Sequence, residues 1–219
     1  YLGLYNDNPF ISTDETLVNR NNKLEAYGGI SGSASASSAF NVGVSYQKTG
    51  DFAYYINDSL GGPGNRMNVV YDDLEFLNLY GEFTLKAPEK WTAYLRGDYY
   101  IYETIIGQAH PWHQPSLKIT ATGEYNLRNK IILQTEVYYV GERWASSLVP
   151  VEGVSENPDG SYHYKLKGFA DVNLKAEYRY TRRLSGWVQF NNIGAAKYQR
   201  WSGYRVQRPL AMMGVTLAF

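Results

Sequence analysis

The stretch RPLAMMGVTLAF, residues 208–219, decides the fold. From Leu210 onward its side chains alternate between two classes. Met213, Val215, Leu217 and Phe219 share one face, while Met212, Gly214, Thr216 and Ala218 share the other. A strand repeats every two residues, so the two sets point to opposite sides of a sheet. One side of that sheet is apolar along its whole length, and the rest of the chain must say what covers it.

Working outward from this strand, the same alternation recurs eight times. The cleanest case is Leu117–Leu127, where Leu117, Ile119, Ala121, Gly123, Tyr125 and Leu127 oppose Lys118, Thr120, Thr122, Glu124 and Asn126. Further strands are expected at Lys23–Ser31, Ser38–Gln47, Asn68–Leu85, Trp91–Ile101, Ile131–Tyr139, Ala170–Tyr180 and around Val188–Asn191. Short connections (GSASAS 32–37, KAPEK 86–90, NLRNK 126–130, TRRLS 181–185) alternate with longer ones at 49–66, 103–114, 143–167 and 195–207. The second group includes GGPGN at 61–65, a turn signal. Residues 1–22 have no periodicity and are rich in Asn and Asp.

Composition removes several classes. The 219 residues carry 21 basic and 21 acidic side chains, so no charge excess points to nucleic acid. The absence of Cys excludes disulfides, thiolate metal sites and a Cys nucleophile. No run of about 18 apolar residues is present to make a transmembrane helix. A mean hydropathy of −0.42 fits a barrel whose strands are apolar on one face only. The 21 Tyr and 5 Trp suit surfaces that are wet on one side and apolar on the other.

No charged residue falls on the apolar face of the well-defined strands, and several strands run for ten residues or more. Ordinary strands average about five or six residues, whereas a tilted membrane crossing needs about 9–11. The expected fold is therefore all-β: a transmembrane antiparallel β-barrel with nine or ten strands visible, part of a larger barrel. A soluble β-sandwich shares the alternation but not the strand length. With the C-terminus periplasmic, every short turn lies on the periplasmic side and every long loop faces outward. Residues 1–22 are then an extracellular loop or the end of an upstream strand, and residues 23–219 the barrel strands. Bacterial barrels of one chain have even strand numbers, so a further strand is expected within residues 1–10 or beyond them.

The polar face supplies candidate lumen-lining residues: Arg96, Asp98, Lys118, Glu124, Glu136, Asp171, Lys175, Glu177 and Arg179. Arg96 and Asp98 also suit ion pairing with neighbouring strands. The loops supply Trp112, His113, Trp144, Arg200, Trp201, Tyr204 and Arg205 as candidate extracellular contacts. His110 and His113 lack the carboxylate company of a metal site. Trp91, Tyr125, Tyr139 and Tyr178 suit an aromatic girdle. Asp72 and Asp73 are adjacent and point to opposite faces, and no Ser–His pairing follows from spacing, so neither catalysis nor a cofactor is expected.

Residues 168–219 resemble the C-terminal end of TonB-dependent outer-membrane receptors. The resemblance rests on the strand FADVNLKAEYRY, the turn TRRLS, the run WVQFNNIGAAKYQRW and the strand closing on Phe219. That last strand resembles the signal read by barrel-insertion machinery. The loop sequences DNPF (7–10) and HPWHQP (110–115) resemble relatives from Bacteroidetes-type bacteria. The resemblance implies a barrel of about 22 strands with a plug in its lumen, energised by TonB and taking up a nutrient. It implies an N-terminal plug domain, TonB, outer-membrane lipid and lipopolysaccharide as partners. A smaller stand-alone barrel, acting as a passive pore or envelope component, is the alternative.

Overall fold

In the computed structural model the described residues are 21–58, 66–105, 107–206 and 208–218; the features expected within residues 1–20, at 61–65 and at Phe219 lie outside them. In chain order the strands are β1 (Asn21–Ser35), β2 (Ser38–Asp58), β3 (Arg66–Ala87), β4 (Trp91–Ile105), β5 (Leu117–Leu127), β6 (Ile131–Val140), β7 (Arg143–Ser147), β8 (Tyr162–Leu166), β9 (Phe169–Arg179), β10 (Leu184–Asn191), β11 (Gln199–Trp201), β12 (Tyr204–Arg205) and β13 (Leu210–Leu217). All nine expected strands are present. They form one antiparallel meander, β1-β2-β3-β4-β5-β6-β9-β10-β13, each paired with its successor. Among the described residues β1 pairs only with β2 and β13 only with β10, so the sheet does not close on itself.

The four additional strands correct the expectation of structureless loops. β7 and β8 make a hairpin inside the connection expected at 143–167, and β11 and β12 make a small ribbon inside 195–207. The connection expected at 49–66 is shorter, because β2 runs on to Asp58 and β3 begins at Arg66. A bulge between Thr49 and Phe52, with Asp51 at φ 54°, interrupts the alternation there. That break in the period concealed the upper half of β2. β4 likewise continues to Ile105, past an irregularity opposite Glu75 and Phe76.

The two faces differ as a membrane wall requires. The apolar face is bare: Met213 is 86% exposed, Val215 74%, and Leu24, Val42, Leu79, Leu95, Leu133 and Phe190 are exposed too. A soluble sandwich would bury such a face. Buried apolar side chains, Ile132 apart, instead gather at the outer ends of the strands. There Tyr54, Leu74 and Trp112 pack with Phe52, Ile56, Phe76, Tyr102 and Trp144. The β7–β8 hairpin leaves the β6–β9 side of the sheet and reaches back to β2, pairing parallel at Asn57 and Ser147. This cap closes over the polar face at its outer end.

Candidate functional site

Strand register builds the polar face row by row. Asn41, Glu82, Arg96, Thr120, Tyr138 and Asp171 are successive cross-strand partners from β2 to β9. Arg96 forms the centre of one cluster. Its guanidinium donates to Asp98 at 2.7 and 2.8 Å and to Glu82 at 2.5 Å, and lies 5.7 Å from the Tyr80 ring. Asn41 and Tyr94 donate to Glu82, and Asn78 donates to Asp98. Asp98 is buried and its carboxylate is spoken for on both oxygens. Lys118 stands opposite Asp98 in the register, over the Tyr100 ring at 5.1 Å.

A second cluster centres on Asp171, which is 4% exposed. The hydroxyls of Tyr138 and Tyr198 donate to Oδ2 at 2.8 and 2.6 Å and lie 2.8 Å from each other. Oδ1 has no hydrogen-bond partner among the described residues. Burial first, then the Asp171 contact, pushes the Tyr198 hydroxyl well above its ordinary pKa, so it stays a donor. Tyr198 is brought here by a turn after β10. Asn192, at φ 49°, accepts from Ala196 N–H at 2.9 Å and donates to its carbonyl at 3.1 Å. A cavity of about 370 Å³ opens beside this cluster, lined by Glu136, Asp171, Asn173, Asn191, Tyr198 and Arg208 among others.

A further cavity of about 550 Å³ lies nearer the turns. It brings together Glu124, Glu136 and Lys175 with Gln134, Asn173 and Gln189. Gln134 donates to Glu124 at 2.9 Å and Asn173 to Glu136 at 3.1 Å. Glu177 and Arg179 pair with each other at 3.3 Å and line neither cavity.

The loop candidates divide. Trp112 and His113 are interior to the cap, at 2% and 5% exposure, and do not face solvent. His113 Nε2 accepts from Ser202 N–H at 3.1 Å, and its ring lies 5.3 Å from Trp201, which in turn meets Tyr55 edge-on. Burial pushes the His113 imidazole down to about 4; the nearby Arg143 adds to this and the Tyr55 backbone opposes it. Trp144 stacks on His110 at 3.9 Å, and burial lowers the His110 pKa as well. Arg200 and Arg205 are exposed at the outer end; Tyr204 is half-buried. His163, within the connection expected at 143–167, sits in β8 with its Nε2 2.9 Å from the Ser161 hydroxyl. That hydroxyl donates to Asp159 at 2.6 Å, and Ser161 is buried. Among the described residues no group of three His, Asp or Glu is placed to hold a metal.

Sequence reasoning missed Tyr138, Tyr198, Asn192 and Arg143. The tyrosines were hidden by the abundance of Tyr in this chain. Arg143 is buried, donates to the Gly141 and Gln199 carbonyls and lies over Phe169, tying β7 to β11. Its only sequence signal was a charge beside Trp144.

No protein-family model matches the sequence, and no curated protein matches it. Solved structures do match by fold, and they are TonB-dependent outer-membrane receptors. The pyoverdine outer-membrane receptor FpvA of Pseudomonas aeruginosa PAO1 superposes with a TM-score of 0.66 at 15% identity, over 89% of this chain and 29% of its own. The siderophore receptor PirA of Acinetobacter baumannii gives 0.65 at 10% identity, over 89% of this chain and 31% of its own. The ferric-catecholate import receptor Fiu of E. coli K12 gives 0.64 at 14% identity, over 89% and 27%. The chain thus has the fold of an outer-membrane receptor barrel wall and spans less than a third of the length of these structures.

Proposed function

We propose that this chain is part of the wall of a TonB-dependent outer-membrane receptor that takes up a polar nutrient. The observation that carries the proposal is the pairing of a bare apolar face with a polar face that is cavity-bearing and capped at one end. The apolar face meets lipid. The polar face lines the lumen, where the Arg96 and Asp171 clusters present fixed donors and acceptors to a solute or to an N-terminal plug. Asp171 Oδ1, Asn173, Asn191 and Arg208 suit a hydrogen-bonding group entering the cavity beside Tyr198. The neighbours named for siderophore and ferric-catecholate receptors make metal chelates the first solutes to test. Lys197, Arg200 and Arg205, exposed at the outer end, suit lipopolysaccharide phosphates. TonB, acting through the plug, supplies the energy, and the C-terminal strand engages the insertion machinery.

The test is a ligand panel of ferric siderophores, cobalamin, oligosaccharides and peptides against the full-length protein in detergent, read by thermal shift. One class should stabilise it, and Asp171→Asn should weaken that ligand at least tenfold without lowering the melting temperature of the free protein. An ohmic, unsaturable conductance in planar bilayers with no stabilising ligand would defeat the proposal.

A further inference from the structure

The turn end of the wall carries a separate arrangement on the apolar face. Gly123 of β5 and Thr135 of β6 are register partners, and their small size leaves a trough on this face. Trp91 and Tyr125, partners in the next row, wall it on the turn side. Leu174 and Phe190 close its far end, and the apolar trough encloses about 490 Å³. Its depth depends on Gly123, where an added Cβ would come within 3.1 Å of Thr135 Cγ2.

Two basic turns border this trough. Lys90 precedes Trp91, and its carbonyl accepts from Asn126 N–H at 2.6 Å, so the β3–β4 and β5–β6 turns lie side by side. The second turn adds Arg128 and Lys130, both exposed. Arg128 and Asn129 have φ of 54° and 56°, the backbone of a type I′ turn, in which Asn or Gly is favoured at both central positions. The chain therefore holds an Arg where local preference disfavours one. Glu89 is the one carboxylate within residues 86–90 and 126–130.

We propose that this trough and its two turns bind an anionic glycerophospholipid of the periplasmic leaflet, with an acyl chain along Gly123 and the phosphate among Lys90, Arg128 and Lys130. Apolar walls, interfacial Trp and Tyr, and basic residues at the same end match the three zones of such a lipid in order. Lipopolysaccharide is the wrong occupant, because short turns lie on the periplasmic side. The site uses the barrel reading above for its orientation and is independent of the solute.

The full-length protein is first inserted into nanodiscs; failure to insert overturns both the barrel reading and this site. Native mass spectrometry then compares retention of phosphatidylglycerol and phosphatidylcholine of identical acyl chains. Phosphatidylglycerol should be retained at least tenfold more strongly. Combined Lys90→Glu, Arg128→Glu and Lys130→Glu should abolish the preference, and Gly123→Leu should reduce retention of both lipids. Thr135→Leu fills the same trough from the neighbouring strand and should act likewise. Arg182→Glu with Arg183→Glu, on the next turn, should change nothing. Equal retention of the two lipids by the native protein, or an equal loss from the Arg182 and Arg183 pair, would leave only a diffuse basic surface and overturn the site.

Discussion

Asp98 and His113 show two ways this chain buries a polar group. Asp98 accepts from Arg96 on its own strand and from Asn78 on the neighbouring one, so its buried charge is matched. His113 is buried neutral, which makes it sensitive to acid. Its folded pKa of about 4 lies below the ordinary 6.5. Above pH 6.5 neither folded nor unfolded chain protonates it, and it contributes no pH dependence. Between pH 6.5 and 4 the unfolded chain takes up the proton and the folded cap does not, so cap stability falls as pH falls. The loss levels off near pH 4 at about 3 kcal/mol. Hydrogen exchange across residues 108–116 and 199–205 should therefore accelerate on going from pH 7 to pH 4.5, after correction for intrinsic rates. In His113→Gln, which keeps an acceptor for Ser202 N–H, that extra acceleration should shrink to the part left by His110, whose pKa burial also lowers; an undiminished acid response in the variant would assign the effect elsewhere.

At the scale of elements, the cap is joined to the wall through few contacts of high value. The β7–β8 hairpin places Trp144 on His110 and Ser147 beside Asn57, while Asn57 donates to Ser202 at 2.7 Å from the β11–β12 ribbon. Trp144, His110, Ser147 and Ser202 take no part in the antiparallel ladders of β2 through β6, while Asn57 is a wall residue paired with Met67, so the cap is added to a wall whose ladders do not need it. Replacing residues 143–165 by a short Gly-Ser linker should leave barrel insertion and heat-modifiable mobility on gels intact. It should also raise acrylamide quenching of Trp112, now 2% exposed, several-fold. Loss of insertion would mean that the cap is needed to fold the wall. The wall strands were legible in the sequence because each has one lipid-facing and one polar side, as in Leu117–Leu127. The upper half of β2 was not, because Phe52, Tyr54 and Ile56 meet the cap's core while Tyr55 and Asn57 meet the ribbon. With both faces covered, polarity stops alternating. β7, β8, β11 and β12 are five residues or fewer, too short for a period to register against nearby Pro and Gly.

For the whole molecule, the two edges of the sheet matter most. β1 is exposed along all 15 residues and β13 presents its far side to no partner among the described residues. In hydrocarbon an unpaired backbone N–H or C=O costs several kcal/mol, which is why spanning sheets close. A wall with two open edges is stable in a bilayer only when further strands pair with both. The matched receptors, of which this chain spans 26% to 31%, are large enough to supply them. The polar clusters were legible as a charged face, but their pairing across strands needed the register, which a one-residue slip would have reversed. Produced alone and refolded in detergent, residues 1–219 should therefore give aggregates or edge-paired oligomers by light scattering. The full-length protein should give a single heat-modifiable species. A monodisperse monomer of the 219-residue chain, with strong β-sheet circular dichroism and slow amide exchange at β1 and β13, would mean that the edges close on each other. The passive small-barrel alternative would then replace the receptor wall.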